Sequence, residues 1–323
     1  MIYKQVKKIK EPLSAISIGC WNFGGDWDTS DSKTAIDIVH AAIDSGINLF
    51  DVAPVYGFGE SESILGRALK GKRDKVIIAS KAGITWNDKK ETAFDLTRAN
   101  ILKEIDESLK RLGTDYIDIY QMHWPAPPTP LSETAEALIE LKKVGKIRYV
   151  GLSNFSQKDV AEMMRMVDVE CQQGLYNMLE RNPESYHEIP LAYRTEDEVL
   201  PRIIEWGQAY LPYSPLFQGL LAGNFNKGIN FSKDDIRNNN PKLVSGEFDR
   251  YVEAAKEIGK VAEEIERPIA QLALNWLRQN PACTSIIAGA SSIRQLDSNV
   301  KACEWDIDDE TMKRLDKIVE PFK

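Results

Sequence analysis

Four side chains in this 323-residue sequence have the types and placement to pass a proton to a bound carbonyl oxygen: Asp51, Tyr56, Lys81 and His123. They fall in two stretches, INLFDVAPVYGFGESESILGRALKGKRDKVIIASK (47–81) and IDIYQMHWP (117–125), each at or just past the end of an apolar run. A free tyrosine hydroxyl, with a pKa of about 10, is a weak acid near neutrality. A neighbouring ammonium favours the phenolate, so Lys81 beside Tyr56 is expected to lower that value. Asp51 would keep Lys81 charged and in place, and His123 would orient the substrate oxygen by a hydrogen bond. A positioned acid of this kind typically contributes about 10²–10⁴-fold in rate. Hydride has to come from a cofactor, because no side chain donates one. Taken singly, each residue has an ordinary use as a turn aspartate, a loop aromatic, a surface lysine or a structural histidine. Their joint position at three consecutive strand ends is what points to a site.

Those ends belong to a regular pattern. Strand-like apolar runs at 16–21, 47–53, 76–82, 116–124, 147–154, 169–177, 209–216 and 284–289 alternate with amphipathic helical segments. Among the helical segments, 35–44, 97–112 and 132–144 stop next to Gly46, Gly113 and Gly145, and Ser156 stands as an N-cap. Alternating β and α units imply parallel strands joined by right-handed crossovers. Eight of them without a composition break favour a closed (β/α)8 TIM barrel, one domain spanning 1–323, over an open doubly wound sheet. In such a barrel the carboxyl ends of the strands carry the chemistry. That geometry gathers Asp51, Tyr56, Lys81 and His123 on one face. A long segment rich in Gly, Asn and Lys, 217–248, follows the seventh strand and is expected to be a cofactor or substrate flap. A charged amphipathic helix at 308–319 is appended after the eighth unit.

Composition narrows the function further. With 43% apolar and 28% charged residues the chain has ample material for a core. A net charge of −8 argues against a sequence-independent grip on nucleic acid, which needs a basic face. Cys20, Cys171, Cys283 and Cys303 are far apart with no metal-ligand spacing, and are expected to be buried thiols in a reducing compartment. No bound metal is expected, since zinc and two-metal hydrolases need His/Asp/Glu clusters that this chain lacks. No signal-peptide h-region and no apolar run of the roughly 18 residues a membrane span needs are found, so a cytoplasmic location is expected. A Rossmann site is also excluded. The best match, Gly57 to Glu62, lacks the third glycine and follows Tyr56 rather than a strand.

The segments DVAPVYGFGESESILGRAL, SKAG, DIYQMHWP, IRYVGLSNF, LPYSPL and IIAGASS, in that order across nearly the whole chain, resemble the aldo-keto reductases. The resemblance is to the branch that includes bacterial general-stress reductases and potassium-channel β-subunits. It implies a (β/α)8 barrel and NAD(P)H-dependent reduction of aldehyde and ketone carbonyls to alcohols. It puts the family's acid on Tyr56, with Asp51, Lys81 and His123 as partners, the same set the strand ends select. Ser153, Asn154 and Gln173 match the contacts to the nicotinamide amide, and Tyr213 matches the ring stacked on the nicotinamide. Ser214, Leu216, Gln218, Gly219 and Leu220 fall where the pyrophosphate is wrapped. Gly289, Ser291, Ser292, Gln295 and Asn299 fall at the adenosine end, where a helix N-terminus suits an anion.

Trp21 counts both with the cofactor contacts and, with Trp86 and Trp124, as a wall of the substrate pocket. The cofactor expected from the resemblance is NADPH, with NADH possible. The family often has Lys or Arg soon after the glycine and Arg at the position of Gln295, whereas this chain has Ser291, Ser292 and Gln295 with Arg294 adjacent. A small-molecule carbonyl is the expected partner, with no nucleic acid or membrane, and oligomeric state stays open. The alternative function is a nucleotide-binding redox sensor or regulatory module with little turnover. A barrel lyase or isomerase using Lys81 as a Schiff-base amine is disfavoured, because Asp51 should keep that lysine protonated.

Overall fold

The computed structural model describes residues 1–25, 31–223, 231, 235–244 and 246–323. Eight strands form its centre: β1 Ile16–Gly19, β2 Leu49–Asp51, β3 Ile77–Ala82, β4 Ile117–Met122, β5 Ile147–Ser153, β6 Cys171–Leu175, β7 Ala209–Tyr213 and β8 Ile286–Ala288. They pair in parallel in the order β7-β6-β5-β4-β3-β2-β1-β8. The two ends of that order meet just ahead of β8. Thr284 N donates to Tyr210 O (2.9 Å), and Tyr210 N donates to Thr284 Oγ1 (3.0 Å). The sheet therefore curls into a nearly closed (β/α)8 barrel. Strands covered on both sides need apolar residues on both sides, which is why the runs read as near-continuous rather than alternating.

Helices α1 Ser32–Asp44, α2 Glu60–Ala68, α3 Arg98–Leu112, α4 Leu131–Lys143, α5 Gln157–Met163, α6 Leu200–Trp206, α7 Phe248–Glu264, α8 Ile269–Gln279, α9 Ile293–Lys301 and α10 Asp309–Val319 surround the sheet. Their ends follow sequence signals. Thr97 accepts from Asn100 N ahead of α3, which stops at left-handed Gly113 (φ 64°), and Ser156 accepts from Asp159 N ahead of α5. The helix after the eighth unit is present as α10. No described helix is long and apolar enough to cross a membrane.

Residues two apart on a strand share a face, and this parity stacks the barrel interior in layers. Leu49, Ile77, Ala79, Ile119, Cys171, Ala209, Leu211 and Ile287 form an apolar lower layer. Ile9 and Leu13, from the amino-terminal segment, close it from below. One step further along the same strands, the inward positions change to Asp51, Lys81, Gln121, Gln173 and Tyr213. The barrel is thus oily at its amino-terminal end and polar at its carboxyl-terminal mouth.

The strands are shorter than their apolar runs. Trp21 lies beyond β1 in a 3-10 turn, Trp21–Gly24, and β7 stops before Ser214, whose left-handed backbone (φ 53°) cannot continue a strand. The 217–248 segment is not structureless: it holds the turns Phe217–Ala222 and Ile236–Asn239 and a short helix, Pro241–Val244. Positions 224–230, 232–234 and 245 of it lie outside the described residues. Among the described residues three antiparallel pairs carry no periodic signal, the first being Tyr3–Lys4 with Leu13–Ser14 ahead of β1. Ile84–Trp86 pairs with Thr92–Phe94 after β3, and Ser185–Tyr186 pairs with Ile189–Pro190 after β6.

Within β4, Asp118 holds neighbouring strands together. Its carboxylate accepts from Ile78 N (2.9 Å), Arg73 Nη2 (2.6 Å) and Arg148 Nη1 (2.9 Å), and its side chain is only 2% exposed. Removing it leaves a buried amide and the mostly covered Arg73 guanidinium without this acceptor. Asp118→Ala is therefore expected to lower stability by about 3 kcal/mol, measured by urea unfolding. A loss below about 0.5 kcal/mol would mark the cluster as dispensable surface charge.

Candidate active site

At the mouth, the pairing of Asp51 with Ala79 and of Lys81 with Gln121 brings the polar ends of β2, β3 and β4 side by side. Lys81 is fully buried. Its Nζ donates to Asp51 Oδ1 (2.6 Å), to Val52 O (3.1 Å) and to the Tyr56 hydroxyl (3.3 Å), so all three of its protons have acceptors. The other carboxylate oxygen, Asp51 Oδ2, accepts from Gln173 Nε2 (2.7 Å) and Gln121 Nε2 (3.3 Å). Gln121 was not singled out by its sequence, although inward parity with Ile119 and His123 marks it. His123 meets the Tyr56 ring edge-on, with centroids 5.9 Å apart. The four residues selected from the strand ends are thus brought together.

Tyr56 owes its position to a close approach of two glycines. It opens the turn Tyr56–Gly59, in which Gly57 and Phe58 are left-handed. A Cβ on Gly57 would lie 2.3 Å from Gly24 O, and one on Gly24 would lie 2.5 Å from Gly57 N. Two backbones packed this tightly bring the Trp21 turn onto the site, and the Trp21 ring stacks on Tyr56 at 5.8 Å. The other two candidate pocket tryptophans contact different rings. Trp86 lies edge-on to Phe58 (5.7 Å), and Trp124, buried, lies against Phe94 (6.2 Å).

The electrostatics reverse one expectation. Burial pushes the Tyr56 hydroxyl well above the usual tyrosine range, and the charge of Asp51 acts in the same direction. The physical reason is that Lys81 stands 2.6 Å from a carboxylate that answers its charge, while desolvation disfavours a phenolate. The hydroxyl is held as an acid rather than poised as a phenolate. His123 is pushed well below the usual histidine range, by burial first and then by Lys81. Its imidazole is therefore neutral and able to hydrogen-bond an oxygen without competing for the proton.

The residues matched to the nicotinamide amide adjoin this group. Asn154, left-handed at φ 65°, accepts at Oδ1 from the Tyr213 hydroxyl (2.9 Å) and the Tyr193 hydroxyl (3.1 Å). Its Nδ2 donates to Ser153 Oγ (3.1 Å) and His123 O (3.2 Å). Tyr193, also invisible in the sequence reading, accepts in turn from Leu175 N (3.2 Å) and so ties Asn154 to the end of β6. After β7, Ser214, Phe217, Gln218 and Gly219 all take left-handed backbone. Non-glycine residues in this region are uncommon and collect at ligand clamps. Leu216 and Leu220 pack into the main core, which anchors the turn.

At the far end Ser292 caps α9 by accepting from Gln295 N (3.3 Å). Gln295 Oε1 accepts from Ser291 N and Ser291 Oγ (2.8 Å each), and Asn299 Nδ2 donates to Gly289 O (3.1 Å). Arg294 is exposed beside them. Asn22 Nδ2 donates to Ala290 O (2.7 Å), linking this end to the Trp21 turn.

The aldo/keto reductase family model matches residues 15–320. Aldo-keto reductase YhdN of Bacillus subtilis (strain 168) is 36% identical over 99% of this chain and 94% of its own length. The NADH-specific methylglyoxal reductase of Escherichia coli (strain K12) is 32% identical over 92% of each. Among solved structures, the glycerol dehydrogenase AKR11B4 of Gluconobacter oxydans superposes with a TM-score of 0.87 at 34% identity, covering 99% of this chain and 95% of that one.

The strand that carries Lys81 is gripped from outside as well. Ser80 Oγ donates to Glu62 Oε1 (2.7 Å), Arg111 Nε donates to Glu62 Oε2 (2.7 Å), and Gly83 N donates to Glu104 Oε2 (2.6 Å). Burial, above all, pushes the Glu104 carboxyl up from 4.5 to about 7. A raised carboxyl binds its proton more tightly when folded, so its stabilising contribution is complete below about pH 4.5 and gone above about pH 7. The stability of the native protein relative to Glu104→Gln is therefore expected to fall by up to about 3 kcal/mol across that window. Urea unfolding of both proteins at several pH values measures it, and a flat difference would mean that Glu104 stays ionised in the folded state.

Proposed function

The chain belongs to the aldo/keto reductase family, an oxidoreductase family acting on carbonyls, and we propose that it reduces small aldehydes and ketones to alcohols, with Tyr56 as the proton donor and NADPH, or alternatively NADH, as the hydride source. One arrangement carries this reading: the buried Lys81 Nζ joins the Asp51 carboxylate (2.6 Å) to the Tyr56 hydroxyl (3.3 Å) at the barrel mouth. A carbonyl oxygen seated between Tyr56 and His123 would meet one donor held protonated and one neutral imidazole. As negative charge develops on that oxygen, Tyr56 delivers its proton, and the adjacent ammonium stabilises the phenolate left behind. Asp51, fixed by Gln121 and Gln173, holds Lys81 in place throughout.

The left-handed turn at Ser214, Phe217, Gln218 and Gly219, next to Tyr213, is the feature that suits the donor set to a dinucleotide. Ser153, Asn154 and Gln173 would hold the amide, Tyr213 would stack on its ring, and Ser214, Leu216, Gln218, Gly219 and Leu220 would wrap the pyrophosphate. Gly289, Ser291, Ser292, Gln295 and Asn299 would take the adenosine end, with Trp21 closing the ring side. When bound, reduced nicotinamide supplies the hydride that no side chain can. The choice between phosphorylated and unphosphorylated forms turns on Arg294, the cation beside Ser291 and Gln295. The 32%-identical relative is NADH-specific, so both forms are candidates here. Relatives named for methylglyoxal and glycerol favour three-carbon carbonyls as the substrate class, and the cytoplasm is the compartment proposed.

The test is loss of reduced-nicotinamide absorbance with methylglyoxal and glyceraldehyde, using NADPH and then NADH. Tyr56→Phe is expected to lower turnover about 10²–10⁴-fold while binding either cofactor as the native protein does. Turnover that survives the substitution would remove Tyr56 from its role. Tight cofactor binding without turnover in the native protein would mark a regulatory module instead.

A further inference from the structure

The hairpin between β6 and α6 ends in a two-residue tip, His187–Glu188, both left-handed at φ 47° and 65°. Two-residue turns of this kind favour Asn-Gly or Asp-Gly, because most side chains are strained there. Strain retained at a tip goes with a use for the side chain. The His187 ring meets Trp21 edge-on at 6.5 Å and Tyr186 at 4.3 Å, and Tyr186 meets Tyr213 at 5.1 Å. With Trp21 stacked on Tyr56, five rings run without a break across the mouth from β7 to β2. At these separations no further ring fits between neighbours.

The wall is braced from behind. Gln218 Nε2 donates to His187 Nε2 (2.7 Å), and Asn240 Nδ2 donates to Gln218 Oε1 (2.9 Å). Lys242 Nζ donates to Ser185 O (3.0 Å) and to the buried Glu180 (2.7 Å). Burial holds the imidazole down at about 4 against the opposing hydrogen bond to the Asn239 backbone, with the Lys242 ammonium adding to the lowering, so it is neutral and can accept from Gln218.

We propose that this hairpin is the size gauge of the substrate pocket: His187, edge-on to Trp21, closes the side of the Tyr56 site against bulky substrates. His187 is then a specificity-determining residue acting by bulk, not a proton carrier. The proposal rests on the reductase reading and deepens it.

Three variants test it in the full-length protein with saturating reduced cofactor, comparing propanal with 4-nitrobenzaldehyde. His187→Ala is expected to raise the ratio of kcat/KM for the aromatic over the short aldehyde about tenfold or more, mainly through a lower KM for the aromatic. His187→Asn, which suits the left-handed tip, should do the same without added strain. His187→Phe, which keeps a ring but loses the bond to Gln218, should hold the native ratio. An unchanged ratio in His187→Ala, or a parallel fall for both aldehydes in a folded variant, overturns the gauge. If the native protein reduces neither aldehyde, the reductase reading fails by itself. The gauge is then read from quenching of tryptophan fluorescence by 4-nitrobenzyl alcohol, and equal affinity in native protein and His187→Ala overturns it.

Discussion

A lysine with no exposed surface is the constraint on which the site turns. Withdrawing an ammonium and a carboxylate from water costs several kcal/mol per ion, recovered only when geometry and hydrogen bonding are good. Lys81 and Asp51 meet that condition because a parallel barrel brings the ends of β2, β3, β4 and β6 to one level. The lysine finds three oxygens and the carboxylate finds two glutamine amides. The layering of the interior follows from the same demand. Ionic groups can occupy the mouth only if the layer beneath is apolar and packed, and Leu49, Ile77, Ile119 and Leu211 supply it.

Around that rigid centre the loops are built with strained backbone. Left-handed Asn154, Ser214, Phe217, Gln218 and His187 all stand at the mouth. The Gly24–Gly57 contact shows the opposite device, an approach so close that no side chain fits. Together they aim side chains from β1, β2, β5, β6 and β7 at one small volume.

Much of this was legible in the sequence. Strand parity and the βα alternation locate Asp51, Lys81 and His123 at one level, and the helix ends at Thr97, Gly113 and Ser156 announce themselves by residue type. Other features depend on distances between segments far apart in the chain. At Trp21 and Ser214 the sequence reads as strand, because apolar character continues past the last ladder bond. The hairpin at 185–190 has two-residue arms and a His-Glu tip, too short for a period-two signal and without a turn signature. Tyr193 matters only because Asn154 stands opposite it. The direction of the Tyr56 shift is not legible in the sequence, because burial belongs to the fold, whereas the neighbouring lysine can be read from spacing.

The closed floor of the barrel also decides how the site is replenished. Beneath Lys81 lie apolar side chains sealed by Ile9 and Leu13, and the thiols nearest the pair, Cys20 and Cys171, are pushed far up by burial. Neither can relay a proton at ordinary pH. On the proposed reading, a Tyr56 that has given up its proton is recharged from the same side by which substrate enters. Among the described residues the floor offers no second door, so on that reading product departure, solvent entry and restoration of the acid take turns at the mouth.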